Sequence, residues 1–127
     1  MSIIESEKIV TLLGYSLKPL FLVLEYIDGM NLYDMILENK LLCDFEERIG
    51  LLMDIAEGIF VLHNNNPPVA HLDLKSPNIM VYTRGNELHC KIIDFGYASV
   101  ATRPFSERKI VNPIWLAPGM NSFVKTE

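Results

Sequence analysis

With 127 residues, half of them apolar, the chain is long enough for one domain with a modest core and too hydrophobic to be a disordered tail. Its formal charge is −5 and its pI is near 5.1, and its 11 Lys and Arg residues form no cluster. That excludes a general nucleic-acid or anionic-membrane surface. The longest apolar run, Leu20–Leu24, is far too short to cross a bilayer. Residues 1–5 lack the basic start and apolar core of a secretory signal. Cys43 and Cys90 stand in different segments, with neither a disulfide framework nor metal-ligand spacing, so free thiols in a reducing, cytosolic setting are expected.

Residues 9–13 and Leu20–Leu24 are β-prone runs separated by 14–19, whose Gly14 and Pro19 suit a reversal; they should pair as a hairpin. In Glu25-Tyr26-Ile27-Asp28-Gly29 the apolar run ends and a glycine permits a bend, which locally reads as a strand-to-helix turn. Asn31 is placed to cap a short helix over 32–38, with Asp34 in its first turn. A longer helix follows, announced by a capping-box pattern of Asp44 and Glu47. Phe45, Ile49, Leu52, Met53, Ala56, Ile59, Phe60 and His63 recur at helical spacing and predict its buried stripe. Each large side chain buried there would contribute roughly 1.5–3 kcal/mol. Gly58 within it costs about 1 kcal/mol relative to Ala. Asn64-Asn65-Asn66-Pro67-Pro68 stops the helix.

The stretch His71-Leu72-Asp73-Leu74-Lys75-Ser76-Pro77-Asn78 is too tight for a helix, because Pro77 removes a donor and pushes Ser76 out of the helical region. It reads as a loop carrying three polar groups, Asp73, Lys75 and Asn78. Two short strands, 79–82 and 88–93, follow, joined by a connection containing Gly85. That ribbon would hold Asn78 at one end and Asp94 at the other. Phosphoryl transfer to a hydroxyl needs a carboxylate to take the proton, a cation near the transferring oxygens and oxygen ligands for Mg²⁺. Asp73, Lys75, and the Asn78 and Asp94 oxygens suit those parts. Residues 97–112 show no sustained period, and their Ser99, Thr102 and Ser106 hydroxyls and the Arg108-Lys109 pair suggest a segment able to order or disorder.

The ordered series His71-Leu72-Asp73, Lys75, Asn78, then Asp94-Phe95-Gly96, then Asn112-Pro113-Ile114-Trp115-Leu116-Ala117-Pro118 resembles the protein kinase family. The resemblance implies a partial α+β kinase-like fold. It comprises an N-lobe hairpin remnant (1–24), a hinge (25–30) and part of a helical C-lobe (31–127), with catalytic loop 71–78 and activation segment 94–119. It makes Asp73 the base, Lys75 a charge neutraliser, and Asn78 and Asp94 the Mg²⁺ ligands. For ATP it makes Leu24 the gatekeeper, Glu25 and Ile27 the hinge backbone contacts and Asn31 a ribose contact. Lys75, two places after Asp73, points to serine and threonine hydroxyls of a protein substrate, and the Asn112–Pro118 stretch looks like the tyrosine-kinase-like group.

Departures accompany the likeness. Leu72 replaces the arginine that usually meets an activation-loop phosphate, so phosphorylation of Ser99, Thr102 or Ser106 is not expected to switch the chain through that pair. Gly119 replaces the glutamate of A-P-E. No Gly-rich loop, strand lysine or partnering helix glutamate is recognisable before Leu24, and Lys8 and Lys18 flank the first strand, so neither stands in. Little turnover, marginal stability and self-association through open strand edges are expected of the isolated polypeptide. The alternative is a non-catalytic kinase-like module, a pseudokinase or regulatory fragment. A small-molecule phosphotransferase of the aminoglycoside-kinase type shares the His-x-Asp and Asn logic, but Lys75, Asp94-Phe95-Gly96 and the stretch around Trp115 disfavour it.

Overall fold

A computed structural model describes residues 4–38, 44–100 and 113–116. Cys43, Thr102, Ser106, Arg108, Lys109, Asn112, Ala117, Pro118 and Gly119, all singled out from the sequence, lie outside the described residues.

The N-terminal hairpin is present but shifted. Its strands are β1 (Leu12–Leu17) and β2 (Leu20–Leu24), paired antiparallel with Leu17 opposite Leu20. Residues 9–13 were expected to be the first strand, yet Ile9 forms a parallel bridge with Ile92 and is buried at 3% exposure. The start of that run, Ile9 and Val10, meets a distant strand, while Leu12 and Leu13 belong to β1. The register is set by Tyr15, Ser16 and Leu17, which answer Leu22, Phe21 and Leu20. Every residue of β2 is exposed.

Residues 25–28, the first part of the stretch 25–30 expected to be a hinge, lead into β3 (Gly29–Asn31), which pairs with β5 (Ile79–Arg84). Gly29 is required by this pairing, since a Cβ there would collide with the Val81 carbonyl oxygen. β5 and β6 (Glu87–Ile92) make the expected ribbon, so the three-stranded sheet runs β3-β5-β6. Short β4 (Val69–Ala70) and β7 (Ser99–Val100) pair separately.

Helix α1 (Leu32–Leu37) starts at Asn31, whose side-chain oxygen accepts from the Asp34 N–H at 2.9 Å. Helix α2 (Phe45–His63) has the complete reciprocal capping box between Asp44 and Glu47. The face it buries differs from the expected stripe. Leu51, Asp54, Gly58 and Leu62 are buried, while Phe45, Leu52, Met53 and Phe60 are 60–76% exposed and His63 is exposed too. Of the predicted set only Ile59 packs against the core cluster.

The reason is the partner surface. Alternate residues of the ribbon, Ile79 and Val81 from β5 and Cys90 and Ile92 from β6, form one apolar face, and α2 lies on it through Leu51, Ile55 and Ile59. Gly58 permits the closest approach: a Cβ there would stand 2.8 Å from Ile92 Cδ1 and 3.1 Å from the Lys8 carbonyl oxygen. Asp54 is buried because three donors meet it. They are Lys8 Nζ at 2.5 Å, the Cys90 N–H at 3.0 Å and His89 Nδ1 at 3.4 Å. The Asp54 carboxylate raises the pKa of the Lys8 ammonium against the opposing effect of burial. Burial, with Asp54 adding to it, pushes the Cys90 thiol up to about 12.

Candidate active site

The loop between β4 and β5 is fixed by its own side chains. His71, Asp73 and Asn78 are all buried. His71 Nε2 donates to the Ile93 carbonyl at 3.0 Å, and its Nδ1 accepts the Asp73 N–H at 3.3 Å. A neutral ring with its proton on Nε2 satisfies both bonds. Phe95 adds an edge contact to the His71 ring, centroids 4.9 Å apart. Pro77 opens the single 3₁₀ turn Ser76–Asn78, which delivers Asn78 directly into β5.

Within this frame Asp73, Lys75 and Asn78 form one cluster. Lys75 Nζ donates to Asp73 Oδ2 at 2.7 Å. Asn78 Nδ2 donates to the same oxygen at 3.1 Å and to the Asp73 backbone carbonyl at 2.9 Å. One carboxylate oxygen is therefore engaged twice, which leaves the other facing a different direction. With the nitrogen of Asn78 turned toward Asp73, its amide oxygen points away and is left to accept or ligate.

Asp94 enters from the far end of the ribbon. The Ile93 N–H donates to the Asn78 carbonyl at 2.9 Å, so Asp94 follows a residue bonded directly to Asn78. Its backbone is left-handed at φ 61°, and so is that of Leu72 at φ 66°. Such conformations in non-glycine residues cost on the order of 1–3 kcal/mol and need surroundings that enforce them. Asp94 is exposed, and its Oδ1 accepts the Gly96 N–H at 3.1 Å. Among the described residues there is no group of three or more His, Cys, Asp or Glu with metal-ligand geometry. An amide oxygen and one carboxylate on adjoining strand ends nevertheless make a donor set suited to Mg²⁺, a hard cation that keeps several waters.

The hinge residues stand apart from this cluster. Leu24 ends β2, and the Glu25 N–H donates to the Thr11 carbonyl at 3.0 Å. The Glu25 carbonyl and the Ile27 backbone groups have no protein partner among the described residues. Asn31 has both ends of its amide occupied by Asp34, with Nδ2 to Asp34 Oδ2 at 2.6 Å. A cavity of about 400 Å³ adjoins residues 25–28 and 82–84 but touches none of Asp73, Asn78 and Asp94.

Nothing in the sequence marks the side-chain role of Glu25. Its Oε1 accepts from Lys91 Nζ at 2.6 Å and from the Thr11 N–H at 2.7 Å. Burial acts to raise its carboxyl pKa, and the bonds from Lys91 and Thr11 outweigh burial, so it lies below the usual glutamate value. No periodicity marks this pair, whose members lie 66 residues apart.

The protein kinase domain family matches residues 1–122. The chain belongs to that family. It is 37% identical over 113 residues to the probable serine/threonine-protein kinase roco9 of Dictyostelium discoideum, covering 88% of this chain and 3% of that protein. It is 34% identical over 116 residues to the serine/threonine-protein kinase CTR1 of Arabidopsis thaliana, covering 87% and 14%. A third relative is cyclic GMP-binding protein C of D. discoideum, 33% identical over 121 residues, covering 93% and 5%. The chain thus spans only a small part of the length of each of these relatives.

Proposed function

We propose that this chain supplies the hinge-to-activation-segment part of a protein serine/threonine kinase, which transfers the terminal phosphoryl group of Mg²⁺-ATP to a protein hydroxyl. The carrying observation is the half-engaged Asp73 carboxylate: Lys75 and Asn78 hold Oδ2, and Oδ1 remains to take the acceptor hydroxyl's proton. Lys75, already beside that carboxylate, offsets charge developing on the transferring oxygens. Asn78 Oδ1 and the Asp94 carboxylate would hold Mg²⁺, which when bound neutralises phosphate charge. Leu24 would border the base, and the Glu25 carbonyl and Ile27 backbone groups would meet its edge. Asn31 would have to exchange its Asp34 bonds for a ribose contact. The relatives' names support serine and threonine as acceptors, and the acidic surface supports a protein partner over nucleic acid or membrane. Two cysteines in different segments, with no disulfide framework, are what supports a reducing, cytosolic setting.

The test is thermal unfolding with ATP, in the presence of Mg²⁺ or of EDTA, on wild type and Asp94→Asn. Mg²⁺ should add to the ATP shift in wild type and add nothing in the variant. In any assay that shows transfer, Asp73→Asn should lower it by about 10²–10⁴-fold. Equal Mg²⁺ increments in wild type and Asp94→Asn would overturn the assignment.

A second reading, a non-catalytic module that acts by association, is favoured by one observation. The uncovered side of α2 (Phe45, Leu52, Met53, Phe60) and all of β2 present large apolar side chains to solvent. Concentration-dependent sedimentation without any nucleotide response would favour this reading, and a monomer with a sharp two-state melt would count against it.

A further inference from the structure

Asp94 is exposed and in a strained backbone conformation, so its position must be set by the strand that leads into it. That strand, β6, is tied to the N-terminal part of the chain. The Val10 N–H donates to the Ile92 carbonyl at 3.0 Å, and the Ile92 N–H donates to the Lys8 carbonyl at 2.9 Å. One residue earlier, Lys91 meets Glu25 at 2.6 Å, with side chains only 13% and 24% exposed. The same Glu25 is bonded twice to Thr11, through its carboxylate and through its own N–H. Lys91 also stands opposite Met80 on β5, two residues after Asn78, and Ile93 closes the ribbon onto Asn78. One carboxylate in the hinge therefore joins the entry to β1, the hinge itself and the ribbon whose ends bear Asn78 and Asp94.

We propose that Glu25 is a positioning residue: through its ion pair with Lys91, its side chain holds the hinge on β6 and thereby sets where Asp94 stands relative to Asn78. The proposal rests on the reading of Asp94 as the metal-facing carboxylate, and it gives the hinge glutamate a task separate from any backbone contact to a base. A half-buried pair suits this task better than an apolar contact would. It fixes one geometry, because either partner left alone would be a poorly solvated charge.

The experiment uses the full chain with Glu25→Gln, Lys91→Met and the conservative Lys91→Arg, which leaves the Thr11 bond to Glu25 in place. Amide hydrogen exchange is followed at Ile92, Ile93 and the central turns of α2. Glu25→Gln and Lys91→Met should each speed exchange at Ile92 and Ile93 by about tenfold and leave α2 unchanged, and Lys91→Arg should keep most of the wild-type protection. In parallel, Lys91→Met should keep the thermal shift from ATP in EDTA and lose the extra increment that Mg²⁺ gives wild type. Unchanged exchange at Ile92 and Ile93, or acceleration spread equally over α2, would overturn the proposal. So would Lys91→Arg exchanging as fast as Lys91→Met. A wild type without any Mg²⁺ increment would instead defeat the metal-facing reading of Asp94, and the exchange pattern would still decide the role of Glu25.

Discussion

Replacing Gly58 by alanine should destabilise the chain, although the same change elsewhere in α2 should stabilise it. In an open helix position Gly→Ala gains about 1 kcal/mol from reduced unfolded-state freedom and better helix propensity. Gly50 is such a position, with no heavy atom within 4 Å of the Cβ it would acquire. At Gly58 the new methyl would lie 2.8 Å from Ile92 Cδ1 and 3.1 Å from the Lys8 carbonyl oxygen. Ile92 is fully buried, and the Lys8 oxygen is already held by the Ile92 N–H, so neither neighbour gives way freely. Overpacking of a close-packed core costs about 1–3 kcal/mol, and subtracting the propensity gain leaves a net loss of up to about 2 kcal/mol. Urea unfolding followed by helical circular dichroism, with both variants beside wild type, reads this directly. Gly50→Ala should raise the midpoint and Gly58→Ala should lower it at unchanged slope. If Gly58→Ala stabilises as much as Gly50→Ala, α2 does not sit this closely on β6, and the packing that fixes the ribbon is wrong.

Asp54→Ala should cost about 3–5 kcal/mol in the same assay, because it strands Lys8 and the Cys90 N–H in a mostly buried site. Lys8→Met should cost less, since Cys90 and His89 remain to meet the carboxylate. Glu25 has a folded pKa below its unfolded one, so its contribution is present above the ordinary glutamate value of about 4.3 and lost as pH falls through the lower folded value. The stability gap between wild type and Glu25→Gln should therefore narrow as pH is lowered from about 6 to about 3; a gap that widens would contradict the ion pair. The Cys90 thiol, buried and pushed up to about 12, should react with iodoacetamide at neutral pH far more slowly in the native chain than in urea, as mass spectrometry would show.

What could be read from the sequence was what local chemistry decides. Both helix starts followed from side chains within three residues of the cap, at Asn31 and Asp44, and the β5-β6 ribbon followed from two β-prone runs around Gly85. The break from helix at Pro77 was legible for the same reason, as a loop and not as the 3₁₀ turn it forms, whereas the joint roles of Asp73, Lys75 and Asn78 came from the family resemblance. The buried face of α2 was not. Apolar residues occur on both sides of that helix, and its packed side includes an aspartate and a glycine, which apolar periodicity counts against burial. The first strand was misplaced because Ile9 and Val10 are as β-prone as their neighbours. Only the remote edge of β6 decides that they leave the hairpin. Lys8–Asp54 and Glu25–Lys91 join residues 46 and 66 apart, and nothing local could pair them.

The same division of contacts indicates which end of the site is the weaker. Bonds within the Asp73 cluster and from it to Ile93 close loops of at most 22 residues, against 66 for the hinge pair. Tripling a loop costs only about 1 kcal/mol more closure entropy, so loop length by itself does not separate them. Burial does. Ile79, Val81, Cys90 and Ile92 anchor the ribbon in the core, whereas β2 is exposed throughout and the hairpin is fastened to the rest mainly around Ile9, Thr11 and Glu25. Fluctuations that open the molecule locally should thus release the hairpin and hinge while Asp73, Asn78 and Asp94 stay assembled. On the proposed reading of the site, recognition of the base would be the labile half and the carboxylate-metal half the preorganised one. The ion pair between Glu25 and Lys91 stands at the boundary between them.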